Sequence, residues 1–324
     1  MIVIKEICVI GASNVDIIAK SSKKLENDTS TIGNIKLVPG GVGRNIVDNL
    51  SRLHVYTMFI SVFGKDVLGK FLIDSMDNKY INLEHSIYNA NDTSKFLNIL
   101  NNEENYGIND IKNINALNIS FFHKKMPIID TMEYLVLDMN LDQDALEYII
   151  ITAKTKIICE ATSSIKCKKI INVLGNIYIL KANFTEACVI ADCSLNVSYE
   201  ELINKLMSKG VKKTYITLGD KGAIYADEGI KIHLKNKKAI NKCNTLGAGD
   251  VFMSAVMYGE TQELSHIDIM LFAIKLSYCY IMHEGFQLDE KVIREAHCMN
   301  NDIYECYVWD ERENVWREKK ELLL

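Results

Sequence analysis

The 324-residue chain has only two prolines, Pro39 and Pro127, and two tryptophans, and it has no long apolar run. Nothing in it approaches the roughly 20 consecutive apolar residues that a membrane-spanning helix requires. The opening stretch, Met1 to Gly11, lacks the basic start, apolar centre and small-residue cleavage site of a secretory signal, which leads us to expect a cytoplasmic protein. Nine cysteines contain no CxxC pair. Cys8, Cys159, Cys188 and Cys279 sit inside apolar segments and read as reduced core thiols. The seven histidines form no HExxH or HxxxH spacing, which argues against a zinc site. A net charge of −5 supplies no basic field for nucleic acid. What remains is an ordinary globular composition, 48% hydrophobic and 24% charged. The length suits one large α/β domain or a domain with a smaller appendage.

Strand-like and helix-like stretches alternate through the second half. Leu135–Asp138, Ile157–Glu160, Ile177–Leu180 and Thr214–Leu218 read as buried strands. Helical patterns near 143–154, 164–174 and 199–209 separate them. Repeated β-α units with short links predict a mainly parallel sheet covered by helices on both faces. Near the N-terminus, Ile7-Cys8-Val9-Ile10 reads as a strand ending at Gly11. Residues 17–38 are irregular and polar. Lys95–Leu100 and Tyr106–Ile111, split by five polar residues, predict a hairpin. A hairpin is marginal alone, so it is expected to pair with material from 17–38 as a small sheet, a lid or a dimerisation appendage. A long helix is expected over 266–284. Residues 301–324, with both tryptophans among alternating charges, read as an edge hairpin or a helix.

The stretch Asn244-Thr245-Leu246-Gly247-Ala248-Gly249-Asp250 runs into an apolar, helix-patterned segment. Glycines let an anion approach the backbone closely. A helix start then turns free N–H groups and the positive dipole end toward it. A carboxylate in that first turn is awkward beside a phosphate, but useful if it must take a proton from an attacking hydroxyl. An acidic helix N-terminus with no chemistry is the plainer alternative. Gly-Ala-Ser-Asn14-Val-Asp16 puts polar groups just past the first strand, where ligands of open α/β sheets bind. Pro39-Gly40-Gly41-Val42-Gly43-Arg44-Asn45 opens a helix whose Asn45 can both donate and accept. Gly64-Lys65-Asp66-Val67-Leu68-Gly69-Lys70 imitates a phosphate loop but is followed by Phe71, which has no hydroxyl for Mg²⁺. Asp138, Asn140, Glu160, Asn183 and Glu186 all lie at strand ends, where together they could hold Mg²⁺ and its waters.

These motifs occur in an order that resembles the PfkB (ribokinase-like) carbohydrate and nucleoside kinases over about residues 4–298. The resemblance runs through Gly-Ala-Ser-Asn-Val-Asp, Gly-Gly-Val-Gly-Arg-Asn and Val-Phe-Gly-Lys-Asp-Val-Leu-Gly. Lys-Ala-Asn-Phe-Thr-Glu, Thr-Leu-Gly-Asp-Lys-Gly-Ala and Leu-Gly-Ala-Gly-Asp follow. Within the family the chain is most similar to pseudouridine kinases. Thr93-Ser94, Gly107-Ile-Asn-Asp-Ile111, Asp138-Met-Asn-Leu141 and Ser163-Ser164 before Lys166 add to that likeness.

The resemblance implies a three-layer α/β/α fold with a β lid from about 17–38 and 87–115, a kinase domain over 1–300, and an appendage over 301–324. It implies ATP-dependent phosphorylation of a ribosyl 5′-hydroxyl with Mg²⁺, leaves a monovalent cation such as K⁺ open, and suggests a homodimer joined through the lid. Asp250 would be the base and the backbone of Gly247, Ala248 and Gly249 the anion hole. Asn14, Asp16, Gly40, Gly41, Arg44, Asn45, Thr93 and Lys166 would hold the nucleoside. Asn183, Thr217, Gly219, Gly222 and Asn244 would border the nucleotide, with Glu186 reaching the metal through water. The family commonly has Asp and Thr where this chain has Asn244 and Leu246, Pro at Ala182, and Asp-Pro at Glu160-Ala161. Another substrate, such as adenosine, inosine, uridine or ribose, and a weakened nucleoside-binding protein are the competing readings. A parallel-sheet oxidoreductase is disfavoured, because no GxGxxG follows the first strand.

Overall fold

A computed structural model describes residues 6–25, 27–90, 92–101, 105–237, 246–283 and 288–323. In chain order, β1 (Ile7–Ile10) is followed by β2 (Asn14–Lys20), β3 (Asn34–Gly40) and helix α1 (Val42–Arg52). Next come β4 (Thr57–Ile60), β5 (Val62–Gly64), α2 (Val67–Ser75), β6 (Ile81–Asn82), β7 (Ile87–Ala90), β8 (Lys95–Leu100) and β9 (Asn105–Asp110). Helix α3 (Ile119–Ile129), β10 (Tyr134–Asp138), α4 (Gln143–Thr152) and β11 (Lys156–Glu160) begin the regular β-α alternation. It continues through a 3₁₀ segment at Lys166–Asn176, β12 (Ile177–Asn183), α5 (Phe184–Ala191), α6 (Tyr199–Ser208) and β13 (Lys213–Thr217). Strands β14 (Ala223–Ala226) and β15 (Lys231–Asn236) precede helices α7 (Ala248–Thr261), α8 (His266–Met282) and α9 (Glu290–Cys298). Strands β16 (Tyr304–Asp310) and β17 (Val315–Glu318) close the chain.

The central sheet has eleven strands in the order β17-β16-β15-β14-β13-β12-β11-β10-β1-β4-β6. Pairing is parallel from β6 to β13 and antiparallel from β13 outward to β17. Alternation along the buried strands divides the interior in two. Ile7 and Val9 face the core built with α1, α7 and α8, while Cys8 and Ile10 face the one built with α3 to α6. This is the three-layer α/β/α arrangement that the β-α repeats predict. The expected helices near 143–154, 199–209 and 266–284 are present as α4, α6 and α8. The stretch 164–174 forms a 3₁₀ segment kinked at Val173 instead. Residues 304–318 form the hairpin of the two alternatives, and it extends the main sheet, with Trp309 opposite Trp316. No helix among the described residues is long and apolar enough to cross a membrane.

The second sheet, β3-β2-β8-β9, is the small sheet expected from the hairpin. Its register separates two chemical faces. Ile17 pairs with Leu37 and Leu97, which pairs with Ile108, and Ala19 pairs with Ile35 and Ile99, which pairs with Tyr106. All these side chains therefore share one apolar face. Asn14, Asp16 and Gly40 lie on the other face, at the end of the sheet nearest the main domain.

The imitation phosphate loop has a packing role. Asp66 caps α2 through the Gly69 amide at 2.8 Å, and it also accepts from the Thr93 amide. A Cβ at Gly64 would stand 2.4 Å from Thr93 Oγ1, and one at Gly69 only 2.1 Å from the Gly64 carbonyl oxygen. The glycines admit the 92–94 segment against the start of α2.

Candidate active site

Three chain segments meet at the carboxyl ends of the parallel strands. The first leaves β1 through Gly11 to Asn14 and Asp16, where Asn14 Nδ2 donates to Asp16 Oδ1 at 2.5 Å. The second is the Gly40–Asn45 turn into α1. Gly41 sits at φ +100, and a Cβ there would be 2.4 Å from the Ala12 carbonyl oxygen, so only glycine fits. The third is the start of α7. Gly247 adopts φ +80, and the first helical bond runs from the Val251 amide to the Gly247 carbonyl. The amides of Ala248, Gly249 and Asp250 precede that bond and are the open donors of a helix N-terminus. Tyr280 donates to the Leu246 carbonyl at 3.1 Å and fixes the turn from α8.

Asp250 joins the segments. Its Oδ2 accepts from Asn45 Nδ2 at 2.7 Å, across 205 residues of sequence. Asn45 Oδ1 in turn accepts from Arg44 Nη2, which fixes the amide's orientation so that its NH₂ faces Asp250. Among the described residues no donor engages Asp250 Oδ1. Burial pushes the Asp250 carboxyl up to about 6, against the Asn45 hydrogen bond and the positive charge of Lys181. Asp16 also rises to about 6 for the same first reason, opposed by Asn14 and Arg44.

The sequence-derived candidates divide clearly. Asn45 reaches Asp250, while Asn14, Asp16 and Gly40 lie together at one end of the small sheet and Gly41 packs on Ala12. Arg44 does not open onto the cavity: it is 1% exposed and is turned toward Asn45 and Asp48. Thr93 is buried with its hydroxyl donating to Asp66. Lys166 extends from the 3₁₀ segment to Asn140 Oδ1, with burial lowering its pKa and Asp138 opposing that. Asn183, Thr217, Gly219, Gly222, Ala248 and Gly249 line one cavity of about 300 Å³, closed by Phe252, Ile274, Ser277, Tyr278 and Ile281. That volume suits a small organic ligand. Asn244 lies outside the described residues.

The strand-end carboxylates do not form one metal cage. Asp138 accepts from three backbone amides, those of Ala12 at 2.8 Å, Gly43 at 2.9 Å and Asn140 at 2.8 Å. It is a staple between the β1 turn and α1. Glu160 is engaged by Lys181 at 2.9 Å. Asn183 and Glu186 cap α5 reciprocally, Asn183 Oδ1 with the Glu186 amide and Glu186 Oε2 with the Asn183 amide. Glu186 Oε1 makes no hydrogen bond among the described residues. No group of three metal-ligating side chains occurs among them either. One free carboxylate oxygen on the capping partner of Asn183, which lines the cavity, fits a Mg²⁺ ion that keeps most of its waters.

Sequence reasoning passed over Lys181 and the stapling role of Asp138. The Lys-Ala-Asn-Phe-Thr-Glu motif contained the first, but nothing local marked its ammonium as buried.

The profile of the pfkB family carbohydrate kinases matches residues 4–292. A pseudouridine kinase from Escherichia coli K12 is 28% identical over 258 residues, covering 77% of this chain and 82% of that protein. A guanosine-inosine kinase from Exiguobacterium acetylicum is 27% identical over 297 residues, 84% of this chain and 93% of its own. Among solved structures, an Arabidopsis thaliana ribokinase complexed with ribose and ATP superposes with a TM-score of 0.77 at 19% identity, covering 91% of this chain and 99% of that one.

Proposed function

The chain belongs to the pfkB family of carbohydrate kinases and is a phosphotransferase acting on a sugar or nucleoside hydroxyl; from that premise we propose that it phosphorylates the 5′-hydroxyl of pseudouridine. The Asn45–Asp250 hydrogen bond carries this reading, because it joins the base to the loop that would hold the ribose. Asp250 Oδ1 takes the hydroxyl proton as the oxygen attacks phosphorus. The helix-start amides of Ala248, Gly249 and Asp250 hold the oxygens of the transferred group, and Asn14, Asp16 and the Gly40–Gly41 turn hold the ribose hydroxyls. ATP would supply the phosphoryl group, and Glu186 would hold Mg²⁺ through water, where the ion would offset the phosphate charge. Phosphoryl transfer of this kind depends on positioning and charge more than on covalent help. The similarity to a pseudouridine kinase and the Gly-Gly-Val-Gly-Arg-Asn loop favour pseudouridine, whereas the similarity to a guanosine-inosine kinase supports a purine nucleoside as second choice.

ADP release measured with ATP and Mg²⁺ against pseudouridine, uridine, adenosine, inosine, guanosine and ribose tests the assignment. Pseudouridine is expected to give the highest kcat/KM. Preference for inosine or guanosine would move the substrate to purines, and nucleoside binding without turnover would leave only a binding protein.

The acid limb of the reaction is a second expectation. A base must be ionised, so kcat/KM falls as pH drops through the folded pKa of Asp250, about 6. Asp16 rises to about the same value and serves as a hydroxyl acceptor, so the limb is expected to steepen toward second order in protons. A profile flat from pH 5 to 8 would remove Asp250 as the base.

A second copy of the chain is the partner that fits the lid. Its apolar face leaves Ile35 69%, Leu37 51%, Tyr106 50% and Ile108 64% exposed, and contiguous apolar faces of this kind mark association surfaces. Light scattering is expected to find a dimer that Leu37→Glu/Ile108→Glu converts to monomer; a wild-type monomer would refute the arrangement. The eight described cysteines are all unpaired, which supports a reducing, cytoplasmic compartment.

A further inference from the structure

The C-terminal hairpin has no role in the scheme above, yet one of its tryptophans reaches a turn that borders the nucleotide side. That turn runs from Leu218 to Gly222, with a 3₁₀ step at Gly219–Lys221. Gly219 and Gly222 line the cavity of about 300 Å³ described above. Leu218, Asp220 and Lys221 line a second cavity of about 730 Å³, together with Phe184, Tyr199 and Trp316. A turn shared between two cavities has little packing to hold it, so its hydrogen bonds decide where it stands.

Every carbonyl of the turn has a donor. Leu218 accepts from the Lys221 amide at 3.3 Å, Gly219 from the Gly222 amide at 3.2 Å and Gly222 from the Leu218 amide at 2.9 Å. Side chains of β15 take the other two: Asn236 Nδ2 donates to the Asp220 carbonyl at 3.0 Å, and His233 Nε2 to the Lys221 carbonyl at 3.1 Å. A carbonyl only accepts, so Nε2 carries a proton here. Gly222, at φ +93, lets the turn sit this close to β15, since a Cβ there would be 2.0 Å from the Leu234 carbonyl oxygen. The imidazole is itself held on three sides. Tyr199 of α6 meets it edge-on at 5.4 Å and Trp316 of β17 edge-on at 6.2 Å, while Tyr307 of β16, its register partner, lies tilted at 6.3 Å. Two of these three rings belong to the hairpin. Burial lowers the His233 pKa, against the Lys221 hydrogen bond, so the ring is neutral at pH 7.

We propose that His233 is a positioning residue for the nucleotide: gripped by Trp316 and Tyr307, it fixes the Leu218–Gly222 turn, so that the C-terminal hairpin is the outer support of the ATP site. The proposal rests on the kinase reading above, with the nucleotide in the 300 Å³ cavity. His233 is not among the described residues that line that cavity, so an effect of its replacement on nucleotide binding has to pass through the turn. Asn236 does line it, which makes it the poorer test.

Wild type, His233→Phe, His233→Gln and Trp316→Ala are compared by melting temperature, by the ADP dissociation constant from calorimetry, and by separate KM values for ATP and the nucleoside. Phenylalanine keeps the ring and removes the donor; glutamine removes the ring and keeps a donor near the place of Nε2. His233→Phe is expected to raise the ADP dissociation constant and the ATP KM about five- to tenfold, the scale of one lost hydrogen bond with its carbonyl left unpaired, and to move the nucleoside KM by less than about twofold. His233→Gln is expected to bind ADP within about twofold of wild type, and Trp316→Ala, which loosens the imidazole, to bind it about two- to threefold more weakly. A folded His233→Phe that binds ADP within about twofold of wild type would overturn the proposal, as would a glutamine variant no better than phenylalanine or an equal rise in both KM values. Unchanged ADP binding in Trp316→Ala overturns the hairpin's part. Should His233→Phe not fold, Trp316→Ala carries the test, and weaker ADP binding with an intact nucleoside KM supports the proposal. A wild type that binds ADP but phosphorylates nothing would defeat the substrate assignment and leave this comparison standing. One that binds neither ADP nor ATP would defeat the kinase reading, and the proposal with it.

Discussion

Asp250→Asn is expected to abolish nucleoside phosphorylation and, at the same time, to make the protein more stable at neutral pH. The first effect follows from proton transfer. An amide cannot accept the hydroxyl proton, and general-base assistance is worth about 10²–10⁴ in rate. Asparagine keeps the volume, and its carbonyl oxygen can still accept from Asn45, so the loss is expected in kcat with little change in nucleotide affinity. The second effect follows from linkage. The Asp250 carboxyl titrates at about 6 in the folded chain, raised first by burial, against about 3.9 in an unfolded one. A group whose folded pKa is raised contributes stability below its unfolded value and loses that contribution as pH rises through its folded value. At pH 8 the ionised Asp250 therefore opposes folding, by roughly 3 kcal/mol from the two-unit difference. The variant escapes that penalty. Its gain in melting temperature should be largest above pH 7 and vanish near pH 4. A variant that is inactive but destabilised at pH 8 would mean that the charge of Asp250 holds the site together, contrary to this account.

Asp138→Ala is expected to have the largest effect on stability. Its carboxylate is fully buried and serves the amides of Ala12, Gly43 and Asn140. Truncation orphans all of them in a region without water access, and each unsatisfied buried amide costs about 1–3 kcal/mol. A total near 3–5 kcal/mol is expected, since some relaxation will occur. Asp138→Asn offers partial relief, because one oxygen can still accept from the Ala12 and Gly43 amides while its NH₂ would face the Asn140 N–H. The staple also sets function. Ala12 leads to Asn14 and Asp16, and Gly43 leads to Asn45, so freeing both should raise the nucleoside KM by more than about tenfold while ATP affinity holds. Chemical denaturation and separate KM measurements for the two substrates check this. A loss under about 1 kcal/mol, or equal damage to both KM values, would refute the staple.

Much of the fold was legible because its signals are local. Buried β-branched runs such as Ile7–Ile10 and Ile157–Glu160, spaced by helical periodicity, state a parallel sheet with helices on both faces. The polar break after Leu100 marks the hairpin. Less legible was the 3₁₀ geometry of 166–176, because its apolar spacing also satisfies an α-helix. The C-terminal hairpin was equally ambiguous, since its alternating charges suit an exposed strand or an exposed helix. Asn183, Thr217, Gly219 and Gly222, chosen from motifs as bordering a nucleotide, line one cavity. Arg44 and Thr93 carried the same kind of motif signal, yet their side chains turn toward Asn45 and Asp66, the first an adjacent residue and the second a residue 27 positions away.

By itself the sequence determined the class of backbone and the location of the glycine turn that opens α7. Glycine at 41 and 247 is written in the chain because left-handed backbone strongly favours that residue. Asp250 follows immediately on a helix start, and that too is local. Only the tertiary structure decided which polar groups meet. Asn45 reaches Asp250 across 205 residues, Asp138 reaches Gly43 across 95, and Lys181 meets Glu160 because parallel strands β11 and β12 put them in register. Hydrogen bonds and ion pairs have short range and no sequence periodicity, so their partners are chosen when the sheet forms.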